Sequence, residues 1–393
     1  MTAATKVAFL VQRIGPYHHA RLSAFSAAHT GPVCAIEFRA DEGVYAWESV
    51  KGGASYERRK TGGGGIVENL KALGPDVVVC VGYFDPEIHR AISWASGRGV
   101  PLVVCSDSTR EDEPRIWAKE AFKSRVAAAF DTALVAGSRS ALYLESLGIG
   151  PERQFRPWDV VDNSHFGRGA DDARLNSSTR ARLGLPDSYF LCVARFVDKK
   201  NLVGLLGSYA EYVRRARVRA WSLLLAGGGP LDAELRQEAR RLGLEHLVQF
   251  RGLVGYSDLP AYYGLAGALV LPSVSEQWGL VVNEAFASGT PAIVSSRCGC
   301  VDDLLDAGEN GLSFDPADSG SLTDALAGFA ETEGSMRVAM GRRAREKIST
   351  YTPAAFAAGI EAAVAGALAR GKPAGWDTRI LVKIMARRTS PTR

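Results

Sequence analysis

One stretch of the chain, Ala268–Ala285, reads ALVLPSVSEQWGLVVNEA. Its first four residues are an apolar run typical of a buried strand, a polar turn follows, and the pattern after Gly279 predicts a helix. Strand–turn–helix passages of this kind build parallel sheets. The turn carries Glu276, and Glu284 lies about one and a half turns into the predicted helix. Two carboxylates would therefore flank a helix N-terminus.

The same alternation of short apolar runs and helical patterns continues over most of the chain. The apolar runs are rich in Val, Leu and Ile with little alternation, as in parallel strands buried on both faces. Together they predict an α/β protein with doubly wound sheets and right-handed βαβ units. The predicted strands are Lys6–Val11, Val33–Phe38, Val77–Val81, Leu102–Cys105, Ala133–Ala136, Phe190–Val193, Ser222–Ala226, Val248–Phe250, Ala268–Leu271 and Ala292–Ser295.

The 393 residues are enough for two domains, and a polar segment interrupts the alternation near the middle of the chain. We therefore predict an N-terminal α/β domain over 1–165, a linker over 166–183, a C-terminal α/β domain over 184–365 and a basic segment over 366–393. Ligands of open α/β sheets bind beyond the carboxyl ends of the strands. Two such domains facing each other would form a cleft.

The composition narrows the class of protein and its compartment. Hydrophobic residues make up 46% and charged residues 23%, which is typical of a folded globular chain. The net charge is +4, but residues 370–393 hold seven basic residues and one acid, so the rest is slightly acidic. This balance argues against a nucleic-acid-binding protein. Six scattered cysteines, no basic signal region and no apolar run near ~20 residues predict a cytoplasmic protein.

Three glycine-rich turns are candidate ligand contacts. Gly15 follows the first predicted strand and precedes a helix, where backbone N–H groups can face a phosphate. Gly227–Pro230 either faces a ligand or simply turns from strand to helix, and it does not fit the dinucleotide pattern Gly-x-Gly-x-x-Gly. Thr61–Gly65 follows a basic run and lacks the Lys-Ser/Thr pair of a P-loop, so we predict a loop at the cleft.

Cations and carboxylates follow two of the predicted strands in the second half. Arg195 and Lys200 could neutralise a diphosphate, as could the helix N-terminus near Gly279. Glu276 and Glu284 can accept hydrogen bonds from sugar hydroxyls. Taken singly, each of these residues is also explained as an ordinary surface residue. Their joint occurrence favours a ligand with a sugar, a diphosphate and a ribose in sequence.

Five short motifs stand in order in the second half: Arg-x-x-x-x-Lys-Asn at 195–201, Leu-x-x-Ala-Gly-x-Gly-Pro at 223–230, Val-x-Phe-x-Gly at 248–252, Pro-Ser-x-x-Glu-x-x-Gly-Leu-x-x-x-Glu-Ala at 272–285 and Gly-x-Pro at 289–291. In this order they resemble the retaining GT-B glycosyltransferases of family 4, the glycosyl transferases group 1. The first half is similar only in architecture and in its glycine turn at the end of the first strand.

The resemblance implies a GT-B fold, in which two Rossmann-like doubly wound domains face a central cleft and a C-terminal helix crosses back to the N-terminal domain. It implies a hexosyltransferase that moves a sugar from a nucleotide-diphosphate sugar, UDP by default, to an acceptor hydroxyl. The anomeric configuration would be retained by front-face attack, without a protein nucleophile. We expect no metal or other cofactor, because the sequence contains no Asp-x-Asp pair.

The resemblance also implies roles for single residues. Arg195 and Lys200 would hold the diphosphate, Glu276 the transferred sugar and Glu284 the ribose hydroxyls. The backbone of residues 278–280 would cradle the distal phosphate, and residues 251–253 would lie along the nucleobase. The full implied donor site is Gly15, Arg195, Lys200, Arg251, Gly252, Leu253, Glu276, Gln277, Trp278, Gly279, Leu280 and Glu284.

The sequence departs from the family at three places. Asp107 stands where many members carry a histidine, so it is a candidate catalytic and acceptor residue, although a turn cap explains it equally well. The histidine's role could instead pass to His18 or His19, which with Tyr17 are candidate acceptor contacts. The stretch 298–300, Cys-Gly-Cys, replaces a Gly-Gly pair and predicts a tight donor-site loop rather than a metal site. Lastly, a Gln-Trp pair replaces Gly-Phe after the first glutamate.

The C-terminal segment admits two interpretations. Over 378–388, Arg379, Lys383 and Arg387 form one stripe at i, i+4 and i+8. The helix would either pack on the N-terminal domain or lie on an anionic membrane, which would suit a lipid-linked acceptor. Other acceptors compatible with the sequence are a sugar and a small-molecule glycoside.

Three alternative functions remain open at this point. A nucleotide-sugar epimerase shares the fold, but the motif order favours the transferase. A glycoside hydrolase also uses two carboxylates, yet one glutamate here would lie inside a helix beside a phosphate cradle. A nucleotide-sugar-binding protein without turnover is the non-enzymatic alternative.

Overall fold

The structure, a computed structural model, describes residues 4–39, 55–61, 65–216 and 219–370. The chain divides into two compact units: unit 1 comprises Met1–Val160 and Pro353–Arg393, and unit 2 comprises Val161–Thr352. The predicted stretches 62–64 and 378–388 lie outside the described residues. Each unit is an α/β sandwich around one parallel sheet, so the predicted pair of Rossmann-like domains is confirmed.

The sheet of unit 1 has seven parallel strands in the order β3-β2-β1-β4-β5-β6-β7, and that of unit 2 has six in the order β10-β9-β8-β11-β12-β13. The strands are β1 Val7–Val11, β2 Val33–Glu37, β3 Glu57–Lys60, β4 Val77–Val81, β5 Leu102–Ser106, β6 Thr132–Val135, β7 Gln154–Phe155, β8 Tyr189–Val193, β9 Ser222–Ala226, β10 Val248–Gly252, β11 Ala268–Leu271, β12 Ala292–Ser295 and β13 Gly311–Phe314. Strand order reverses between β1 and β4 in unit 1 and between β8 and β11 in unit 2. These are the switch points where open α/β sheets bind ligands.

Helices cover both faces of each sheet, which accounts for the apolar character of the central strands. The helices are α1 Pro16–Ala28, α2 Gly65–Leu73, α3 Pro86–Ser96, α4 Trp117–Ala127, α5 Ser138–Ser146, α6 Asn163–Leu175, α7 Ser178–Arg182, α8 Leu202–Arg215, α9 Asp232–Arg241, α10 Leu259–Leu265, α11 Leu280–Ala287, α12 Val301–Leu304, α13 Ser319–Glu331, α14 Gly334–Ile348 and α15 Pro353–Arg370.

All ten predicted strands are present, and the three that were not predicted lie at sheet edges. These are β3, β7 and β13. The β3 sequence is ERRK and β7 has only two residues. Edge strands are short and polar because one side has no neighbouring strand, so they lack the apolar run that marks a central strand.

The predicted linker 166–183 is replaced in the structure by α6 and α7. Asp162 is the N-cap residue of α6. Its carboxylate accepts hydrogen bonds from the backbone N–H groups of Ser164 and His165, both at 3.0 Å. It buries Phe166 and Ala170 within unit 2. Its buried stripe is small and its other residues are polar, which is why the sequence pattern resembled a linker.

The chain returns to unit 1 through α15, earlier than the predicted boundary at residue 366. Phe356 is buried, with its ring 5.8 Å from that of Trp158, and Thr132 Oγ1 donates to the Ala363 carbonyl oxygen at 2.8 Å. By length and composition alone, the helical stretch Gly334–Arg370 is long and apolar enough to cross a membrane, a test that a buried core helix also passes. In the structure, Phe356, Ile360 and Val364 of α15 are buried, whereas Leu368 is exposed.

Candidate active site

The switch point of unit 2 joins the loops that follow β8 and β11. Lys200, in the first loop, donates from Nζ to Glu276 Oε2 in the second. Ser273 Oγ donates to the same carboxylate oxygen at 3.1 Å, and Val274 N donates to the Lys199 carbonyl oxygen at 2.9 Å. The Lys200 and Glu276 side chains are each 13% exposed, so the ion pair keeps contact with solvent. Two of the predicted donor-site residues therefore meet directly.

Arg195, the other predicted cation, is exposed on the loop after β8. The glycines after β9 shape this loop. A Cβ at Gly227 would collide with the Ala194 carbonyl oxygen, and one at Gly229 would lie 2.5 Å from the Phe196 carbonyl oxygen. Both glycines also have positive φ angles, 145° and 158°. Backbone packing against the Arg195 loop thus explains the glycine-rich turn.

The N-terminus of α11 is held by an unusual glycine and by a neighbouring loop. Gly279 has φ +110°, and a Cβ there would lie 2.9 Å from Leu271 Cδ2. Gly299 N donates to the Glu276 carbonyl oxygen at 3.0 Å, and Cys300 N donates to the Trp278 carbonyl oxygen at 3.1 Å. The Cys-Gly-Cys stretch is thus the predicted tight loop, and it supports the turn that carries Glu276.

The side chains around the start of α11 differ in exposure. The Trp278 indole is buried and donates from Nε1 to Asn283 Oδ1 at 2.9 Å. Glu284 is only 1% exposed, and its Oε2 accepts a hydrogen bond from the Tyr263 hydroxyl at 2.6 Å. The sequence pattern did not mark Tyr263, because nothing distinguishes it from its neighbour Tyr262. The thiols of the tight loop are buried and form no disulfide within the described residues.

Residues 251–253, predicted to lie along the nucleobase, form the end of β10. The Arg251 guanidinium donates to the Leu183 carbonyl oxygen and, at 3.3 Å, to Tyr262 Oη. Gly252 has φ +65° at a β-bulge, and Leu253 is 69% exposed. The Arg251 side chain is thus engaged within unit 2, and Leu253 is the exposed apolar residue of this stretch.

In unit 1, the loop after β1 is held by a buried carboxylate that the sequence analysis missed. Gly15 lies directly before α1 with an extended backbone, and the N–H of the preceding Ile14 donates to Glu37 Oε1 at 2.8 Å. Glu37 is buried and also pairs with Arg58, whose Nη2 lies 3.0 Å from Oε1. The turn at the first glycine is therefore fixed by an ion pair from β2 and β3.

Arg21, on α1, forms a buried ion pair with Asp159 in unit 1. Its guanidinium donates to Asp159 Oδ1 at 3.1 Å and to the Val160 carbonyl oxygen at 3.0 Å, and it lies 4.4 Å from the Trp158 ring centre. Burial and this nearby cation lower the pKa of His18 to about 3. His18 Nδ1 is buried and has no hydrogen-bond partner among the described residues. The imidazole is therefore neutral and has an unused polar atom.

Asp107 lies close to the same group. Burial, followed by the Asp159 carboxylate, raises the pKa of Asp107 to about 7, although Arg21 opposes the shift. The turn after β5 is held by Asp112, which accepts from Thr109 N at 2.8 Å. Asp112 therefore contributes a side-chain hydrogen bond to this turn, and the role of Asp107 in acceptor binding stays a prediction.

The other two predicted acceptor residues also lie on α1. The imidazole Nδ1 of His19 is 3.1 Å from Tyr56 Oη, and burial with the Arg58 charge lowers the pKa of His19. Tyr17 is partly buried near the start of the same helix. Within the described ranges, no group of three or more His, Cys, Asp or Glu side chains converges as a metal site.

Parts of the chain are similar in sequence to known proteins. Residues 177–347 match the family described as glycosyl transferases group 1. The chain is 30% identical over 210 residues to the D-inositol 3-phosphate glycosyltransferase of Corynebacterium kroppenstedtii, covering 51% of this chain and 46% of that protein. It is 31% identical over 175 residues to the GDP-mannose-dependent alpha-(1-6)-phosphatidylinositol monomannoside mannosyltransferase of Mycolicibacterium smegmatis, covering 42% and 44%. The chain therefore spans less than half the length of these two relatives.

Among solved structures, HepE of Anabaena in complex with UDP is similar with a TM-score of 0.71 and 16% identity, covering 92% of this chain and 99% of that one. Two parallel-sheet units with this topology define a GT-B protein. Within that fold class, residues 177–347 of the chain are similar to the glycosyl transferases group 1.

Proposed function

We propose that the protein is a retaining glycosyltransferase that moves a sugar from a nucleotide-diphosphate sugar to an acceptor hydroxyl. The observation that carries this proposal is the Lys200–Glu276 pair at the switch point of unit 2, beside the N-terminus of α11. A bound donor would offer Lys200 a diphosphate and Glu276 sugar hydroxyls, so each partner exchanges one ionic contact for a ligand contact. Arg195 is exposed nearby on the same loop.

The proposed mechanism is electrostatic. Negative charge grows on the leaving diphosphate as the glycosidic bond breaks, and Arg195, Lys200 and the amides at the start of α11 would stabilise it. Gly279 gives those amides an unobstructed approach because it has no side chain. The acceptor oxygen would attack from the face that the diphosphate leaves, which retains the anomeric configuration. We propose that no metal or cofactor takes part.

We propose UDP as the donor nucleotide. HepE, with the same fold, was solved with UDP, whereas the mycobacterial relative is named for GDP-mannose. Sugars of both UDP and GDP should therefore be tested as donors.

We propose that the acceptor hydroxyl is recognised in unit 1. His18 is neutral and Asp107 titrates near neutrality, and such groups can accept or donate a hydrogen bond to a hydroxyl. Asp107 would then replace the histidine of other family members. A sugar, a glycolipid or a small-molecule glycoside would present such a hydroxyl, and the names of two relatives include inositol compounds.

We further propose that the protein is cytoplasmic and that residues 378–388 bring it to an anionic membrane. The support is the cationic stripe in the sequence. Sedimentation with vesicles containing phosphatidylglycerol checks this, with Arg379→Ala/Lys383→Ala/Arg387→Ala expected to stay in the supernatant. Equal sedimentation of both proteins would contradict membrane contact through this segment.

The decisive experiment is a panel of UDP- and GDP-sugars, first in thermal shift and then in transfer assays. A cognate donor should raise the melting temperature by mass action. Glu276→Ala should abolish transfer but still bind the nucleoside diphosphate, and the product of the wild type should keep the donor's anomeric configuration by NMR. Glu245→Ala, an exposed glutamate of unit 2, is the control. Full activity of Glu276→Ala would refute the site.

A further inference from the structure

Tyr263, which neither the motifs nor the comparisons assign, lies directly behind Glu284. The two side chains are buried, and the tyrosine hydroxyl donates to Glu284 Oε2 at 2.6 Å. We propose that Tyr263 is a positioning residue, which orients the Glu284 carboxylate to accept hydrogen bonds from the ribose of the donor. The inference rests on the proposed function, in which Glu284 binds that ribose.

The backbone and ring of Tyr263 are themselves held in place. Its ring meets the Phe166 ring edge-on, with the centres 6.0 Å apart. Its carbonyl oxygen accepts a hydrogen bond from Thr290 Oγ1 at 2.7 Å. The next residue, Gly264, packs so closely on α6 that a Cβ there would lie 2.7 Å from Ala170 Cα. The phenolic oxygen therefore has a fixed location from which to hold the carboxylate.

Tyr263, the partner of Glu284, belongs to a group of packed aromatic rings. Phe166, Tyr256 and Tyr263 form an aromatic box, in which Phe166 contacts both tyrosine rings edge-on. Burial raises the pKa of Tyr256, and the charges of Asp162 and Glu284 raise it further. The Glu284 carboxylate is therefore close enough to influence a second tyrosine of the box. In such low-polarity surroundings a hydrogen bond to a carboxylate is strong, and a badly oriented carboxylate is costly.

The two glutamates of the site differ in the partner that each carboxylate contacts. Glu276 is compensated by the cation Lys200, whereas Glu284 receives a hydrogen bond from a neutral hydroxyl. The tyrosine hydroxyl adds no positive charge of its own and fixes the direction of one carboxylate oxygen, and an ionised carboxylate is a strong acceptor for ribose hydroxyls. Because its orientation is already set, binding the ribose costs less side-chain entropy.

The first test measures nucleotide affinity by calorimetry, with UDP and GDP as probes. For whichever of the two nucleotides binds more tightly, Tyr263→Phe should raise the dissociation constant about tenfold. In transfer assays the donor KM should rise by a similar factor with kcat almost unchanged, because Glu284 would touch the ribose and not the transferred sugar.

The matched control is Tyr209→Phe. Tyr209 is also fully buried in unit 2, and its hydroxyl donates to the Trp221 carbonyl oxygen at 2.6 Å. This variant loses the same kind of buried hydrogen bond, so it should lower the melting temperature while leaving nucleotide affinity unchanged. A difference between the two phenylalanine variants isolates positioning from simple loss of stability.

The second test uses the 2′-deoxy form of the same nucleotide. Tyr263→Phe should weaken its binding much less than that of the ribonucleotide, because one of the hydroxyls that the carboxylate recognises is absent. Equal weakening of both nucleotides would overturn the inference, since Tyr263 would then act only through the fold.

A Glu284→Gln variant separates the possible failures. If Glu284→Gln loses affinity and Tyr263→Phe does not, the inference about Tyr263 is overturned and the proposed donor site stands. If Glu284→Gln binds both nucleotides as tightly as the wild type, the ribose role of Glu284 is overturned, and the inference with it.

Discussion

The two switch points differ in how they hold their charges. In unit 1 the side chains of Arg21 and Asp159 are 4% and 6% exposed, and the guanidinium is also covered by an indole ring. In unit 2 the side chains of Lys200 and Glu276 are each 13% exposed, and the cation Arg195 is exposed on the loop that carries Lys200. The sheets reverse strand order in the same way at both points.

Topology therefore decides where a site can form, and the residues after the strands decide what it can bind. In unit 1 the Arg21 cation is paired with a buried carboxylate, and near it lie a neutral histidine, His18, and a carboxyl group, Asp107, with a pKa of about 7. Unit 2 keeps its charges where a diphosphate could reach them. Under the proposed function, the first would accept a hydroxyl and the second would bind the sugar diphosphate.

The largest expected effect is on the buried pair of unit 1. Arg21→Met should lower the free energy of unfolding by about 3–5 kcal/mol, because Asp159 would remain buried without its cation. Urea denaturation measures this. Arg98→Met is the control, since that guanidinium also lies over a tryptophan, 5.1 Å from the Trp94 ring centre, but is exposed. Equal losses in both variants would contradict the distinction between the switch points.

In unit 2 the corresponding change should affect transfer more than stability. Lys200→Ala should reduce kcat/KM about 100-fold, as the loss of one group that stabilises the leaving charge does. Its neighbour Lys199 is exposed, so Lys199→Ala should stay within about twofold of the wild type in the same assay. A wild-type rate for Lys200→Ala would mean that this cation does not face the diphosphate.

These comparisons show what the sequence could and could not reveal. Local motifs pointed to Arg195, Lys200, Glu276 and the glycine turn 227–230, because each follows a strand with a strong apolar pattern. The pairing of Lys200 with Glu276 joins residues 76 positions apart. No local pattern encodes such a contact.

The same limit explains the residues that were missed. Arg21 and Asp159 are 138 positions apart, and Ile14 and Glu37 are 23 apart. Tyr263 becomes distinctive only when α10 packs beside α11. The central strands were predictable because burial on two faces imposes apolar runs, whereas the polar edge strands and the cap-started helix α6 carry no such signal.

A smaller effect is expected from the glycines that support the Arg195 loop. Gly227→Ala should cost about 1–3 kcal/mol of stability and lower donor affinity, because the new methyl group would push against Ala194. Thermal unfolding and nucleotide titration measure the two effects. The adjacent Gly228 has open space around its Cα, so Gly228→Ala should change neither. Similar behaviour of the two variants would argue against backbone packing as the reason for these glycines.

The smallest effect concerns pH. The pKa of His18 is lowered from 6.5 to about 3, so the unfolded chain binds more protons between these values and stability rises with pH. The pKa of Asp107 is raised from 3.8 to about 7 by burial and then by Asp159 and Asp112, with Arg21 opposing. The folded chain then binds more protons, and stability falls as pH rises over this window.

The two contributions oppose each other between about pH 4 and 6.5. Asp107→Asn should make the free energy of unfolding rise more steeply with pH than in the wild type, and His18→Phe should make it rise less. The limit for each is about 1.4 kcal/mol per pH unit. Urea titrations at about pH 5 and 6.5 provide the check, and unchanged slopes in both variants would contradict the assigned protonation states.

The return of the chain to unit 1 has a consequence for biosynthesis. Unit 1 lacks α15 until residue 370 has been made, whereas every residue of unit 2 has been made by Thr352. At roughly 5–20 residues per second, the first part of unit 1 waits about 10–40 s after Val160 for its last helix. The later-encoded half of the protein can therefore finish folding on the ribosome first. A nascent chain stalled near residue 352 would expose the apolar surface that Phe356 and its helix later cover.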